Sequence, residues 1–185
     1  DKNLYFIDAP ISGGPVGARE GTLTIMCGGD SIAFEKAKPI FSKMGTTVVH
    51  MGGPGTGTSM KIVNQLLTSV NTVAAMEAAI LADNCGIDIN SVIKILSKSF
   101  GGSKMVERNM PIYIKERYEN SSAPIRNIIK DLKIISEMSK QMNLNLPLTD
   151  LSLNLFEETN KLDINEPDIA SVAIYLNKLS INKEV

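Results

Sequence analysis

The spacing of apolar and polar residues divides the chain into two parts. Before residue 52, three short runs have the apolar content or the alternation typical of β-strands, at residues 4–7, 21–27 and 46–51. Between the second and third runs, apolar residues recur at helical spacing. Asp30 or Ser31 can cap that helix and Gly45 can end it. This part therefore has an α/β pattern.

From Gly55 onward the pattern is helical throughout. Apolar residues repeat at intervals of three and four, with Gly and Pro between the repeats. The predicted helices lie near residues 55–84, 89–99, 103–118, 124–142, 147–160 and 166–180. The pattern predicts an α/β segment followed by an all-α segment, with domains at residues 1–54 and 55–185.

Composition then excludes several classes of protein. The 185 residues are 43% hydrophobic, which suffices for one sizeable core or one domain plus part of another. A net charge of -1 without a dense basic patch argues against a nucleic-acid partner. The apolar stretch at 62–82 is interrupted by polar residues such as Asn64 and Glu77, so we expect no membrane span.

The cysteine and histidine content also limits the chemistry. Cys27 and Cys85 lack metal-binding spacing and are typical of buried thiols in a reducing compartment, so we expect a cytoplasmic protein without a metal site. His50 is the only histidine, which argues against a Ser-His-Asp triad or a histidine-centred metal site. The chain begins at Asp1 and enters a predicted strand almost at once, so we expect a segment upstream.

The first segment that could carry chemistry follows the first predicted strand. Residues 12–17 are Ser-Gly-Gly-Pro-Val-Gly. Successive glycines let backbone N–H groups converge on an anion, and the hydroxyl of Ser12 adds a donor, so the loop suits a carboxylate. Viewed alone, the segment is more typical of a glycine-rich turn.

The second segment is a polar stripe on the longest predicted helix. Its members are spaced to lie on one helical face: Lys61, Asn64, Gln65, Thr68 and Thr72. The stripe is narrow and carries one lysine, so it fits a cleft or a solvated helix face about equally well. The preceding glycines, at residues 53–57, match neither a P-loop nor G-x-G-x-x-G, which argues against a phosphotransferase. We expect them to allow close approach of the helix start to another backbone.

The third segment is the adjacent pair Lys130 and Asp131. The pair lies beside a predicted core face formed by Ile128, Leu132 and Ile135. An exposed pair of this kind usually serves solubility, and stabilises by only about 0–1 kcal/mol. Alone it indicates no function.

In this order and spacing, the segments resemble the β-hydroxyacid dehydrogenase family, which includes 3-hydroxyisobutyrate dehydrogenase, tartronate semialdehyde reductase and L-threonate dehydrogenase. Residues 8–14, Asp-Ala-Pro-Ile-Ser-Gly-Gly, and residues 21–26, Gly-Thr-Leu-Thr-Ile-Met, look like its substrate-loop region. The pattern of glycines, lysine and asparagine at 55–64 is similar to its catalytic-helix motif. Lys-Asp-Leu at 130–132 resembles its late cofactor-side motif.

The resemblance implies a fold and a catalytic residue. The fold would be the C-terminal strands of a Rossmann-like NAD(P)-binding domain followed by a helical 6-phosphogluconate dehydrogenase-like domain. Lys61 would be the general acid/base between a 3-hydroxy acid and its oxo acid. A lysine suits this role because desolvation lowers the pKa of an ammonium group towards neutrality.

The resemblance also implies the ligand-binding residues. The candidates for holding the substrate carboxylate and orienting the substrate are Ser12, Gly13, Gly14, Asn64 and Gln65. Many members carry Asn where this chain has Gln65, so both Asn64 and Gln65 stay candidates. Lys130 would reach the cofactor, NAD or NADP, with Asp131 assisting.

Substrate, assembly and completeness are further expectations from the resemblance. Residues 101–109 and 166–170 look closest to members that act on four-carbon sugar acids such as L-threonate. A homodimer or homotetramer is expected. The family's glycine-rich fingerprint is absent from these 185 residues, so we expect the chain alone to bind a dinucleotide weakly and turn over poorly.

The alternative is a non-catalytic helical module, derived from the family, for oligomerisation or interaction. Retention of Lys61 within its polar stripe favours the enzyme.

Overall fold

The computed structural model describes residues 4–119 and 122–181, with side chains described up to residue 179. Contacts divide the chain into two compact units, residues 1–64 and 65–185. The domain boundary expected between residues 54 and 55 stays a prediction.

The strands are β1 Ile7–Asp8, β2 Ile11–Ser12, β3 Leu23–Gly29 and β4 Gly45–Gly52. The helices are α1 Gly14–Glu20, α2 Ser31–Met44, α3 Thr56–Asn84, α4 Ile89–Leu96, α5 Lys104–Lys115, α6 Ile125–Gln141, α7 Pro147–Asn160 and α8 Val172–Ile181.

The first unit is built around β3. Both β1 and β2 pair with β3 antiparallel and in one continuous register, with Ile7 opposite Gly29 and Ser12 opposite Thr24. The two strands are therefore halves of one strand, and it is interrupted at Pro10. The amide of Met26 donates to the carbonyl of Pro10 over 3.0 Å in the same register, but proline has no N–H to donate in return.

The remaining part of this unit is a β3–α2–β4 crossover. β4 runs parallel to β3, and such a pair requires a crossover connection, here α2. Asp30 caps α2 by accepting hydrogen bonds from the amides of Ile32 and Ala33, which confirms it as one of the two predicted caps. Apolar side chains of β3 and α2 form the core of the unit: Leu23, Ile25, Cys27 and Phe34.

Two local predictions in the first unit were wrong. Of the strand expected over residues 4–7, only Ile7 is in a strand. The glycine-rich segment is no simple turn, because residues 14–20 form α1, with Pro15 in its first turn and Gly21 in a left-handed conformation at its end. The predicted end of α2 at Gly45 is confirmed, since the helix stops at Met44 and Gly45 follows it. Gly45 is extended and begins β4, where a side chain would collide with the backbone of Leu23.

The second unit is helical. α6 buries Ile128, Leu132 and Ile135, which confirms the predicted core face, and this helix packs against α7. The last predicted helix starts later than expected. Residues 166–168 are not helical, and a 3-10 turn, Ile169–Ser171, precedes α8. Asp168 caps this turn by accepting a hydrogen bond from the amide of Ala170, which fixes the start of the helical segment.

α3, for which the sequence predicts no membrane span, has 29 residues and is long and apolar enough to cross a membrane by length and composition alone. Buried core helices of soluble proteins share this length and composition. The downstream half of α3 buries Val73, Ala75, Met76 and Ala79. This burial is typical of a core helix.

The first part combines a small β-sheet with helices and the second part is helical, which confirms the predicted fold class.

Candidate functional site

The predicted carboxylate loop joins β2 to α1 in the first unit. Ser12 is half-buried at the end of β2, and Gly13 and Gly14 are exposed. Both glycines have positive φ angles, 127° and 62°, which residues with a side chain rarely adopt. A Cβ atom on Gly14 would meet nothing within 4 Å, so backbone geometry rather than crowding requires glycine there.

The glycines that precede α3 have two different roles. Gly55 has a φ of 87° and open space around it, so it supplies a left-handed turn. Gly57 lies against the sheet, where a Cβ atom would be 2.8 Å from the carbonyl oxygen of Asp8 and would collide with that of Met26. The predicted close approach of the helix start to another backbone is therefore confirmed at Gly57.

The start of α3 is also held by the carboxylate of Asp8. One carboxylate oxygen accepts a hydrogen bond from the amide of Gly55 at 2.7 Å. The other accepts from the amide of Thr58 at 2.7 Å and from the Thr58 hydroxyl at 3.0 Å. Burial acts most strongly on the pKa of Asp8 and raises it, but these hydrogen bonds together outweigh burial and hold the pKa below its usual value.

Lys61 and Asn64 lie on α3 within the first unit. Both side chains are half-buried, and each has an interaction partner. Lys61 comes three residues after Thr58, so it is about one helical turn from the position that Asp8 holds.

Gln65, Lys130 and Asp131 are brought together in the second unit. The amide nitrogen of Gln65 donates to one oxygen of Asp131 at 2.6 Å, and the ammonium of Lys130 lies 3.0 Å from the other oxygen. Asp131 is only 21% exposed, whereas Lys130 is 68% exposed. The carboxylate therefore links α3 to α6 and holds an exposed cation.

The downstream end of the polar stripe does not face an open cleft. Thr72 is fully buried, and its hydroxyl donates to the carbonyl of Thr68 at 2.7 Å. The side-chain amide of Asn109 in turn donates to that hydroxyl at 3.1 Å. This end of the stripe is a helix–helix contact, which the spacing of polar residues alone could not distinguish from a binding surface.

The two segments expected to affect substrate choice are joined by an ion pair. Arg108 donates to both carboxylate oxygens of Asp168, at 2.9 and 2.7 Å. Arg108 also donates to the side-chain oxygen of Asn109 at 2.6 Å. Asp168 is almost fully buried, so this network fastens α5 to the segment before α8.

The sequence interpretation missed Asp8 and Asn109 as residues that organise the polar groups of α3. No local pattern marks Asp8, because its partners lie 47 and 50 residues away. Asn109 carried no signal beyond its position in an amphipathic helix.

A groove of about 790 Å³ lies elsewhere in the second unit. Its lining contains none of the predicted site residues. The lining residues with polar side chains include Asp83, Tyr113, Asn177 and Lys178. Among residues 4–119 and 122–181, no cluster of three or more His, Cys, Asp or Glu side chains could hold a metal ion.

Two family models match the chain. Residues 55–176 match the family described as NAD-binding of NADP-dependent 3-hydroxyisobutyrate dehydrogenase. Residues 1–53 match the NAD binding domain of 6-phosphogluconate dehydrogenase.

Relatives and a solved structure agree with these matches. The 2-(hydroxymethyl)glutarate dehydrogenase of Eubacterium barkeri is 34% identical over 93% of this chain and 57% of its own length. The L-threonate dehydrogenase of Escherichia coli K12 is 33% identical over 92% of this chain and 56% of its own length. The crystal structure of a 3-hydroxyisobutyrate dehydrogenase from Salmonella typhimurium superposes with a TM-score of 0.84 and 31% identity, over 94% of this chain and 61% of that one.

The chain thus spans little more than half the length of these relatives. Within that span, the matched families, the fold and the order of the motifs agree, and the chain belongs to the β-hydroxyacid dehydrogenase family.

Proposed function

We propose that the protein containing this chain is an NAD(P)-dependent dehydrogenase that interconverts a small 3-hydroxy acid and its oxo acid. The observation that carries the proposal is the placement of Lys61 one turn after the point where Asp8 holds α3. The strand that contains Asp8 continues in one register to Ser12, at the glycine loop. The relatives described above are named for 2-(hydroxymethyl)glutarate and L-threonate, which are acids that carry a hydroxyl group, and this supports the substrate class.

Lys61 is the proposed general acid/base. In reduction its ammonium gives a proton to the carbonyl oxygen of the substrate, and in oxidation the neutral amine takes the hydroxyl proton. The bound nicotinamide cofactor supplies or accepts the hydride. Because the first turn of the helix is fixed, the amine of Lys61 stays within a restricted volume. The long side chain is flexible enough to keep the amine near the substrate oxygen during proton transfer.

Ser12, Gly13 and Gly14 are the proposed site for the substrate carboxylate. The Ser12 hydroxyl and the exposed backbone of the two glycines offer donors without a Cβ atom in the way. Such donors bind a carboxylate without needing a second lysine or arginine beside Lys61.

Asn64 and Gln65 have separable roles in the proposal. Asn64 is three residues after Lys61 and lies on the same face of α3, so we assign it to orient the substrate or the lysine. Gln65 donates its amide hydrogen to Asp131. We therefore assign Gln65 to hold Asp131, which in turn holds Lys130.

Lys130 and Asp131 are the residues of this chain proposed to meet NAD or NADP. An exposed ammonium that a carboxylate holds in place fits the hydroxyl or anionic groups of a dinucleotide. L-threonate or another four-carbon sugar acid is the proposed substrate within the wider class. Assembly as a homodimer or homotetramer and a cytoplasmic location complete the proposal.

The test uses the complete gene product, with NAD and NADP offered separately together with a panel of 3-hydroxy acids and sugar acids. We expect wild-type turnover with at least one acid, and a loss of kcat of about 10²–10⁴-fold in Lys61→Ala with cofactor affinity unchanged. Lys133→Ala is the matched control, since Lys133 is an exposed lysine that pairs with Glu157 at the surface.

Absence of turnover with every acid, in a folded oligomer, would favour the non-catalytic helical module. Turnover that survives in Lys61→Ala would retain the activity but remove Lys61 from it.

A further inference from the structure

We propose that Asp8 is a positioning residue that sets Lys61 relative to the loop Ser12–Gly14. The proposal rests on the proposed function, because it concerns the geometry of that reaction. Asp8 would touch neither substrate nor cofactor. Its carboxylate would act through the two chain segments that it joins.

The hydrogen bonds of Asp8 are those of a helix cap supplied from a distant part of the chain. The first amides of a helix have no partner within the helix, and a carboxylate is a favourable acceptor for them. Asp8 accepts from the amides of Gly55 and Thr58 and from the Thr58 hydroxyl. An ordinary cap lies next to its helix in sequence, as Asp30 does for α2. Asp8 instead fastens two segments that are about fifty residues apart.

The close approach that brings Asp8 to these donors depends on two glycines. A Cβ atom on Gly28 would lie 2.5 Å from a carboxylate oxygen of Asp8 and 2.7 Å from the amide of Gly57. A Cβ atom on Gly57 would collide with the carbonyl oxygen of Met26. Side chains at either position would push the start of α3 away from the sheet, so the surrounding backbone is arranged for this contact.

The strand carries the constraint to the substrate loop. Residues 7–12 pair with β3 in one register, and the amide of Met26 bonds to Pro10 between the two halves. Asp8 therefore cannot shift along β3 without Ser12 shifting too. On the other side, Thr58 and Lys61 are separated by one helical turn. A single carboxylate thus connects the acid/base to the carboxylate-binding loop.

The test compares wild type, Asp8→Asn and Asp30→Ala in the complete gene product. Asp8→Asn keeps the size of the side chain but replaces one acceptor oxygen with a donor group. We expect kcat to fall by about 10–10²-fold, since a misplacement near 1 Å can cost that much, while affinity for the cofactor stays unchanged. Hydrogen exchange at the amides of Gly55 and Thr58 should become faster.

Asp30→Ala is the matched control, because it removes a cap of the same chemistry from α2. It should lower thermal stability without lowering kcat. Thr58→Val and Thr58→Ser provide a second test if Asp8→Asn does not fold. Thr58→Val should lower kcat by a few-fold, because the backbone donor remains, and Thr58→Ser should restore it.

The outcomes separate the two proposals. Wild-type protein inactive with every acid would overturn the proposed function and the role of Asp8 with it. The positioning role alone would be overturned if the wild type is active and Asp8→Asn or Thr58→Val keeps its kcat. In that case the variant would lose only stability, as Asp30→Ala does.

Discussion

Each of the two units contains a carboxylate that joins two of its own chain segments, and the two carboxylates do so by different chemistry. In the first unit, Asp8 accepts mainly from backbone amides, and glycines make the room for this contact. In the second unit, Asp168 is held mainly by a charged side chain, since Arg108 meets both of its oxygens. The hydrogen bonds of Asp8 therefore depend on neighbouring glycines that lack side chains, whereas those of Asp168 depend on the oppositely charged side chain of Arg108.

The largest expected effect on stability comes from breaking the pair in the second unit. Arg108→Met should lower the free energy of unfolding by about 3–5 kcal/mol, because it leaves the nearly buried carboxylate of Asp168 without its counter-charge. Denaturant titration measures this change. The control is Lys104→Met, which removes an exposed pair with Glu107 and should cost at most about 1 kcal/mol. Equal losses of unfolding free energy in Arg108→Met and Lys104→Met would contradict the contrast between the buried and the exposed ion pair.

Crowding at the helix start should produce the next largest effect. Gly57→Ala should destabilise by about 1–3 kcal/mol, because the new methyl group would collide with the sheet backbone. Gly53→Ala is the matched control, since a Cβ atom there would meet nothing within 4 Å. Thermal denaturation of both variants checks this, and a tolerated Gly57→Ala would show that the close approach is not needed.

The pH dependence of the Asp8 cap follows from the direction of its pKa. Hydrogen bonds lower the pKa of Asp8 in the folded state despite the opposing effect of burial, so the cap stabilises above the ordinary pKa of 3.8 and is lost as pH falls through the lower folded value. The difference in Tm between wild type and Asp8→Asn should therefore stay constant from about pH 8 to pH 5 and shrink only below about pH 4. A difference that disappears near pH 6 would contradict this assignment.

The smallest effects come from buried hydroxyls on α7. Thr149 has a buried hydroxyl without a hydrogen-bond partner among the described residues, whereas Thr159 donates to the carbonyl of Leu155 at 2.7 Å. Thr149→Val should therefore be neutral or stabilise slightly, and Thr159→Val should cost about 1 kcal/mol. Chemical denaturation of the two variants side by side would detect changes of this size. A reversed order would show that the two environments have been misassigned.

The sequence predicted most of the helical part, because helical periodicity depends on residues close together in the chain. The core face of α6 and the range of α7 follow from local spacing alone. In the first unit, α1 was missed because Gly14 and Gly17 lower helix propensity. The strand at 4–7 was misplaced because Leu4, Tyr5 and Phe6 are exposed and only Ile7 packs against the core.

The sequence motifs propose residues for the candidate site, but they do not give the contacts among them. Lys61 and the loop at Ser12 stay predictions from their motifs. The link from Gln65 to Asp131 spans 66 residues, and the link from Asp8 to Thr58 spans 50, so no local pattern reports either one. The polar stripe illustrates the same limit, because the spacing of Thr72 fits a cleft as well as the buried contact with Asn109.

Chemical rescue of Lys61→Ala by small primary amines tests the central claim most directly. The complete gene product of the variant is assayed with and without added amine, over a pH series, with an acid that the wild type turns over. We predict that kcat is nearly lost in the variant and rises in proportion to the concentration of free amine, because the amine replaces the missing acid/base. Full turnover by Lys61→Ala without added amine would contradict the assignment of Lys61.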